Sequence, residues 1–148
     1  MSGGQTGVDR AALDVALALD VPCGGWCPKG RLAEDGRIPP RYPLSETTTE
    51  DDPERTLLNV RDSDGTLILT RGAPVGGTAL TRAFAEALGK PVFVADLAGE
   101  TATPPRVHEW IQREAIAILN VAGPRESAAP GIYKDAAAFL RALLRPRA

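Results

Sequence analysis

The sequence has little of the side-chain chemistry that metals and thiols need. It holds two cysteines and one histidine in 148 residues. A zinc site needs four close ligands from Cys, His or carboxylate, and no spacing here supplies them, so no metal site is expected. Cys23 and Cys27 are separated by Gly24-Gly25-Trp26. In an extended segment their Cα atoms stand about 13 Å apart, too far for a disulfide. The lone His108, beside Glu109, reads as a surface residue, and one distant histidine supports neither a Ser-His-Asp nor a Cys-His arrangement. An excess of basic charge is also missing, with 17 Lys and Arg against 19 Asp and Glu and a net charge of −2. That argues against general nucleic-acid binding, which calls for a strongly basic chain, and leaves room for a local basic pocket. No apolar run approaches the roughly 18 residues of a membrane span, so no membrane partner is expected. The opening Ser2-Gly3-Gly4 lacks the basic and then apolar start of a signal peptide, and a cytoplasmic location is expected.

What is present points to a globular α/β chain. Hydrophobic residues make up 43% and charged residues 24%, and the length fits one domain over residues 1–148. Val8, Ala12, Val15 and Leu19 lie on one helical face. Thr6 and Asp9 have the spacing of a capping box. Val21 to Cys27 reads as a short strand. Pro28 to about Asp52 reads as one long irregular loop, rich in Gly and Pro breakers. Pro53 opens a helix running to about Asp62. Thr66 to Leu69 is a short apolar run of the kind a buried parallel strand shows. A helix bearing Leu80, Phe84 and Leu88 stops at Gly89, and a strand covers Pro91 to Ala95. Val107, Ile111, Ala115 and Ile118 mark the next helix. Leu119 to Ala122 forms the last strand, before a final helix with Ile132, Ala136, Leu140 and Leu143. Strands and helices alternate, which predicts a parallel sheet with helices on both faces. Only Met1 and Ser2 precede the first glycine loop, so either the start is truncated relative to relatives or the first strand is very short.

Ligands in such sheets bind beyond the carboxyl ends of the strands. Gly3-Gly4-Gln5-Thr6-Gly7 and Gly76-Gly77-Thr78 both lead into helix starts there. Such loops offer backbone N–H groups and a favourable helix dipole to an anion. Neither carries the Gly-Lys-Ser/Thr of a Walker loop nor the spaced glycines of a dinucleotide fingerprint. Each alone also fits a plain tight turn. A third turn with Arg125 and Ser127 makes a shared anion pocket the better reading. Lys29 and Arg125 directly follow strands and suit phosphate contacts, whereas Arg37 and Arg41 read as solvated loop residues. Asp9 could cap its helix, hold a ribose hydroxyl or hold a metal-bound water. Trp26 could stack on a base or sit buried at the sheet end.

Several segments carry a family resemblance. Ser2-Gly-Gly-Gln-Thr-Gly-Val-Asp-Arg-Ala-Ala-Leu-Asp14, Gly24-Gly-Trp-Cys-Pro-Lys-Gly-Arg31, Asn59-Val-Arg-Asp-Ser-Asp64, Gly76-Gly-Thr-Ala-Leu-Thr81 and Asn120-Val-Ala-Gly-Pro-Arg-Glu-Ser127 resemble the motifs of the molybdenum carrier family. That family sits in the superfamily of the Lonely Guy phosphoribohydrolases. The resemblance implies a Rossmann-like fold, circularly permuted: Leu119 to Leu143 is similar to the first strand, loop and helix of Lonely Guy enzymes, where it would precede the counterpart of residues 1–27. Near-adjacent termini make such a permutation tolerable. It also implies a homo-oligomer that binds a small phosphorylated, nucleotide-like ligand, with the molybdenum cofactor or a nucleotide as candidates. With the loop reading, the candidate ligand residues are Gly3, Gly4, Gln5, Thr6, Gly7, Asp9, Arg10, Lys29, Gly30, Arg55, Gly76, Gly77, Thr78, Gly123, Arg125 and Ser127. The Lonely Guy resemblance places the active-site arginine at Arg55 and its glutamate at Thr81. Threonine does not ionise, which weakens a hydrolase reading unless Asp9, Asp62 or Asp64 substitutes. The expectation is therefore a binding protein. A phosphoribohydrolase, with Arg55 and Asp9 as its catalytic candidates, and an oligomeric ligand sensor are the alternatives.

Overall fold

All six residues of the strand Gly65–Thr70 are buried, as its continuous apolar run predicts for the centre of a parallel sheet. The computed structural model describes residues 1–145. In chain order the elements are α1 (Val8–Ala18), β1 (Gly25–Cys27), β2 (Leu32–Ala33), β3 (Gly36–Arg37), β4 (Leu44–Glu46), α2 (Asp52–Arg61), β5 (Gly65–Thr70), α3 (Gly76–Ala87), β6 (Val92–Asp96), α4 (Pro104–Arg113), β7 (Leu119–Ala122) and α5 (Ile132–Leu144). Strand β5 pairs parallel with β6 on one side and with β7 on the other, with Leu67 opposite both Phe93 and Val121. Strand β1 pairs parallel with β4.

Met1 and Ser2 join these two sets. The Val121 N–H donates to the Met1 carbonyl at 2.9 Å, and the Ser2 N–H donates to the Gly24 carbonyl at 3.0 Å. The Met1 ammonium also donates to the Leu119 carbonyl. Two residues thus do the pairing of a very short strand between β7 and the start of β1.

Helices α1, α4 and α5 pack together, and α2 packs on α3, so the two groups cover the sheet. The main core joins Val8, Val15, Leu67, Leu69, Val121, Ile132 and Leu140, with Trp110 tilted against Phe93 at 5.5 Å between ring centres. Each such buried side chain contributes about 1.5–3 kcal/mol. A second, smaller core holds Leu13, Cys27, Ile38 and Tyr42. Both cysteines are free. Among the described residues, no helix is long and apolar enough to cross a membrane.

Four local expectations are corrected. The segment after Cys27 is not one irregular loop: it contains the β2–β3 hairpin and strand β4. Arg31 organises it, donating Nε to the Ile38 carbonyl, Nη1 to Leu44 and Nη2 to Pro39 and Tyr42, at 2.8–3.2 Å. The strand read as Val21 to Cys27 begins only at Gly25. Helix α4 stops at Arg113, before Ala115 and Ile118. Ala115 adopts a left-handed φ of 52°, and the Ala115 and Ile116 N–H groups donate to the Gln112 and Ile111 carbonyls. That is a Schellman ending with alanine where the sequence signal would be glycine. Helix α3 buries Thr78, Thr81 and Ala85 rather than the face of Leu80, Phe84 and Leu88, and Leu88 is 43% exposed.

Candidate ligand-binding cleft

Strand order reverses between β5 and β7, since β5 connects through α3 to β6 on one side while β7 pairs on the other. The loops leaving their carboxyl ends therefore diverge and leave a crevice. A cleft of about 550 Å³ occupies it, a size that suits a small-molecule ligand. Gly3 and Gln5 of the first loop, Val75 to Thr78 of the second, and Gly123, Pro124 and Arg125 of the third all line it. Helix α2 adds Asp52, Pro53, Arg55, Thr56 and Asn59.

The charged wall is built around Arg55. Its Nη1 donates to Asp9 Oδ2 at 2.9 Å, and its Nη2 lies 3.4 Å from Asp52 Oδ1. Its Nε is buried with no acceptor. Gly3 packs directly on this guanidinium, and a Cβ there would overlap Nη1 and force the arginine to shift. Burial pushes the Asp9 carboxyl up to about 6, and the Arg55 charge offsets part of that rise. Asp52 also reaches Arg125, with Oδ2 3.5 Å from Nη2.

The opposite wall is the start of α3. Gly76 has a left-handed φ of 53°, a conformation that disfavours other residues. The Thr78 and Ala79 N–H groups both donate to the Val75 carbonyl, while those of Gly76 and Gly77 have no acceptor among the described residues. A Cβ built on Gly77 would meet nothing within 4 Å, and Gly77 has no positive φ. No neighbour in the protein requires a bare Cα there. Thr81 Oγ1 donates to the Gly77 carbonyl at 3.0 Å, so its hydroxyl proton is already engaged.

Other expected residues lie outside the cleft lining. Gly4 faces Leu44 and Ile38. Thr6 and Asp9 do not form a capping box. Gly7 is the N-cap, no side chain caps α1, and Asp9 is drawn instead to Arg55. Thr6 and Ser127 hydroxyls donate to the Glu34 carboxylate, as does the Ser127 N–H at 3.1 Å. These bonds hold the exposed Glu34 below the usual carboxylate range. Arg10 makes a bidentate pair with Asp35 and donates Nε to the Gly4 carbonyl. The Lys29 N–H donates to the Thr49 carbonyl and the Gly30 N–H to Glu46, with both residues exposed beyond β1. Arg37 and Arg41 are exposed, Arg41 over the Tyr42 ring at 4.6 Å. Trp26 is half-buried and donates its ring N–H to Asp62, and His108 is half-buried on α4.

Sequence reasoning missed Asp52, Asn59 and Asn120. Asn59 accepts from the Trp26 N–H at 2.8 Å and donates to the Trp26 carbonyl at 3.0 Å, acting as a strand partner for β1. Buried Asn120 donates to Thr66 Oγ1. A mid-helix asparagine in the resembling segment Asn59 to Asp64 was the available signal for Asn59. Among the described residues, no group of three or more His, Cys, Asp or Glu side chains is placed to hold a metal ion.

With this geometry in view, the likeness to known proteins is specific. Residues 1–144 match the Circularly permutated YpsA SLOG family. No curated protein matches the chain. A crystal structure of "Putative molybdenum carrier protein" from Syntrophus aciditrophicus SB is 47% identical, covers 97% of this chain and 92% of its own, and superposes with a TM-score of 0.91.

Proposed function

The chain belongs to the circularly permuted YpsA SLOG family, and we propose that within it this protein binds, without turning over, a small phosphorylated ligand with a flat ring system. One observation carries the reading: at the edge of the cleft the N–H groups of Gly76 and Gly77 have no acceptor among the described residues, and the bare Cα of Gly77 has open space where a Cβ would stand. A phosphate oxygen accepts from such N–H groups, and the α3 dipole favours its charge. Pro53, Val75, Leu80, Pro124 and Ala128 supply an apolar lining that suits a heteroaromatic ring. Of the expected ligand residues, Gly3, Gln5, Asp9, Arg55, Gly76, Gly77, Thr78, Gly123 and Arg125 then form the site. Gly4, Thr6, Gly7, Arg10 and Ser127 hold its loops in place.

The name of the 47% identical relative extends this to a molybdenum-bearing cargo. The molybdenum cofactor is a phosphorylated pterin and has both chemical features that the cleft suits. It would be carried as cargo, with its phosphate at Gly76 and Gly77 and its ring along the apolar lining. The half-buried Phe84 and exposed Leu88 of α3 supply an apolar face for a homo-oligomer. The expected site of action is the cytoplasm.

The test is to purify the native protein gently and identify what travels with it by mass spectrometry, then to titrate emptied protein with a nucleoside monophosphate by calorimetry. A co-purifying phosphorylated heteroaromatic compound, or binding of the nucleotide in competition with inorganic phosphate, is expected. A preparation with neither refutes the reading.

A further inference from the structure

We propose that Asp52 sets the charge the cleft accepts, admitting a single phosphate group and rejecting a polyphosphate; this rests on the anion-site reading above. Asp52 stands in the first turn of α2 and lines the cleft. Its two oxygens face two different arginines, Oδ1 at 3.4 Å from Arg55 Nη2 and Oδ2 at 3.5 Å from Arg125 Nη2. The other terminal nitrogen of Arg55 is held by Asp9. The charged side chains lining the cleft are therefore two guanidinium groups and two carboxylates, all four engaged with one another.

Besides the buried Nε of Arg55, the donors left unpaired among the described residues are backbone N–H groups at the start of α3. A helix terminus offers about half an elementary charge, enough for one compact anionic group. Further phosphates would have to share the same cleft with Asp52 and its arginine partners. They would find no unpaired guanidinium there and would meet a like charge instead, and like-charge contacts are how binding sites reject wrong partners. Asp52 is 43% exposed on its side chain, so water relieves part of the repulsion. The selectivity expected is about tenfold, not a thousandfold.

The experiment compares the full chain with Asp52→Asn and Asp52→Glu. Inorganic phosphate and tripolyphosphate are titrated at fixed ionic strength, and binding is read by phosphorus NMR line broadening and by thermal shift. Wild type is expected to favour phosphate. Asp52→Asn should shift the phosphate-to-tripolyphosphate ratio about tenfold toward tripolyphosphate, and Asp52→Glu, which keeps the charge, should retain the wild-type ratio. Damage to α2 would weaken both probes together and leave the ratio alone. An unchanged ratio in folded Asp52→Asn, or a wild type that prefers tripolyphosphate, overturns the inference and leaves the anion site standing. No response to either probe in wild type or variants overturns the anion-site reading, and this inference with it.

Discussion

Asp9 and Arg55 lie 46 positions apart in the chain and meet at 2.9 Å in the wall of the cleft, with side chains only 8% and 11% exposed. Neither local sequence explains the pairing. Asp9 sits in the first turn of α1 and Arg55 in the first half of α2, and Gly3 packs against the guanidinium beside them. Burial raises the cost of charge on Asp9, and Arg55 offsets part of it.

That balance has a pH signature. The Asp9 carboxyl titrates at about 6 in the folded chain against an ordinary 3.8. The folded state thus binds the proton more tightly than the unfolded state. Its contribution to stability is complete below 3.8 and is lost as pH rises through about 6. Wild type should lose stability relative to Asp9→Asn as pH rises across this window. Urea titrations of both proteins at several pH values check this, and a constant difference contradicts a burial-dominated shift.

Removing the cation should have two separable effects. Arg55→Ala leaves a buried carboxylate without its partner, a change that costs about 3–5 kcal/mol in fully buried pairs and somewhat less in this one. It should also weaken binding of a nucleoside monophosphate by roughly 10- to 150-fold, the equivalent of one charged hydrogen bond. Neither protein should release free base, because Thr81 bears no carboxylate and its hydroxyl is bound to the Gly77 carbonyl. Base release by wild type that Arg55→Ala abolishes would replace the binding reading with hydrolysis, and Asp9 would be the first carboxylate to examine.

The two glycines at the start of α3 should respond in opposite ways. Gly77→Ala adds a Cβ into open space at an ordinary φ, so the fold should gain up to about 1 kcal/mol from helix propensity. The same methyl should block close approach of a phosphate and weaken binding at least tenfold. Gly76→Ala must hold a φ of 53° and should lose about 1–2 kcal/mol. Thermal melts and phosphate titrations of the two variants test this; a Gly77→Ala protein that is more stable and binds unchanged would show that nothing approaches that Cα.

Arg31 carries a purely structural prediction. Its guanidinium donates to four backbone carbonyls of the segment 38–44. Lysine has the charge without the planar fork, so Arg31→Lys should cost about 2–4 kcal/mol. Hydrogen exchange should quicken first in residues 38–44 and around Tyr42. Protection equal to wild type there would show that the loop is ordered by other contacts.

Some of this protein was legible one residue at a time. The buried run around Leu67, the stripe on α1 and the breakers at Gly89 and Pro91 are local signals, because periodicity and turn chemistry act over a few residues. They yield alternating strands and helices, and hence a crevice beyond the carboxyl ends of the strands with glycine loops at its edge. Elements that lack a local signal were illegible. The end of α4 rests on a left-handed alanine, and the pairing of residues 1 and 2 with β7 and the start of β1 depends on strands far away in the chain. The partners of the charged residues belong to the same class. Arg31, Arg10, Lys29 and Arg125 look alike in the sequence, as basic residues near glycines, and Arg55 is one of several arginines on predicted helices. Only the folded chain assigns Arg31 to backbone carbonyls, Arg10 to Asp35, Lys29 to the exposed rim, and Arg55 and Arg125 to the cleft. Likewise it gives Thr6 and Ser127 to Glu34 instead of leaving them open for a ligand. The physical reason is that local propensity is set by neighbours in the chain, whereas a charge or hydroxyl is satisfied by whichever partner the packed helices and strands bring within about 3 Å.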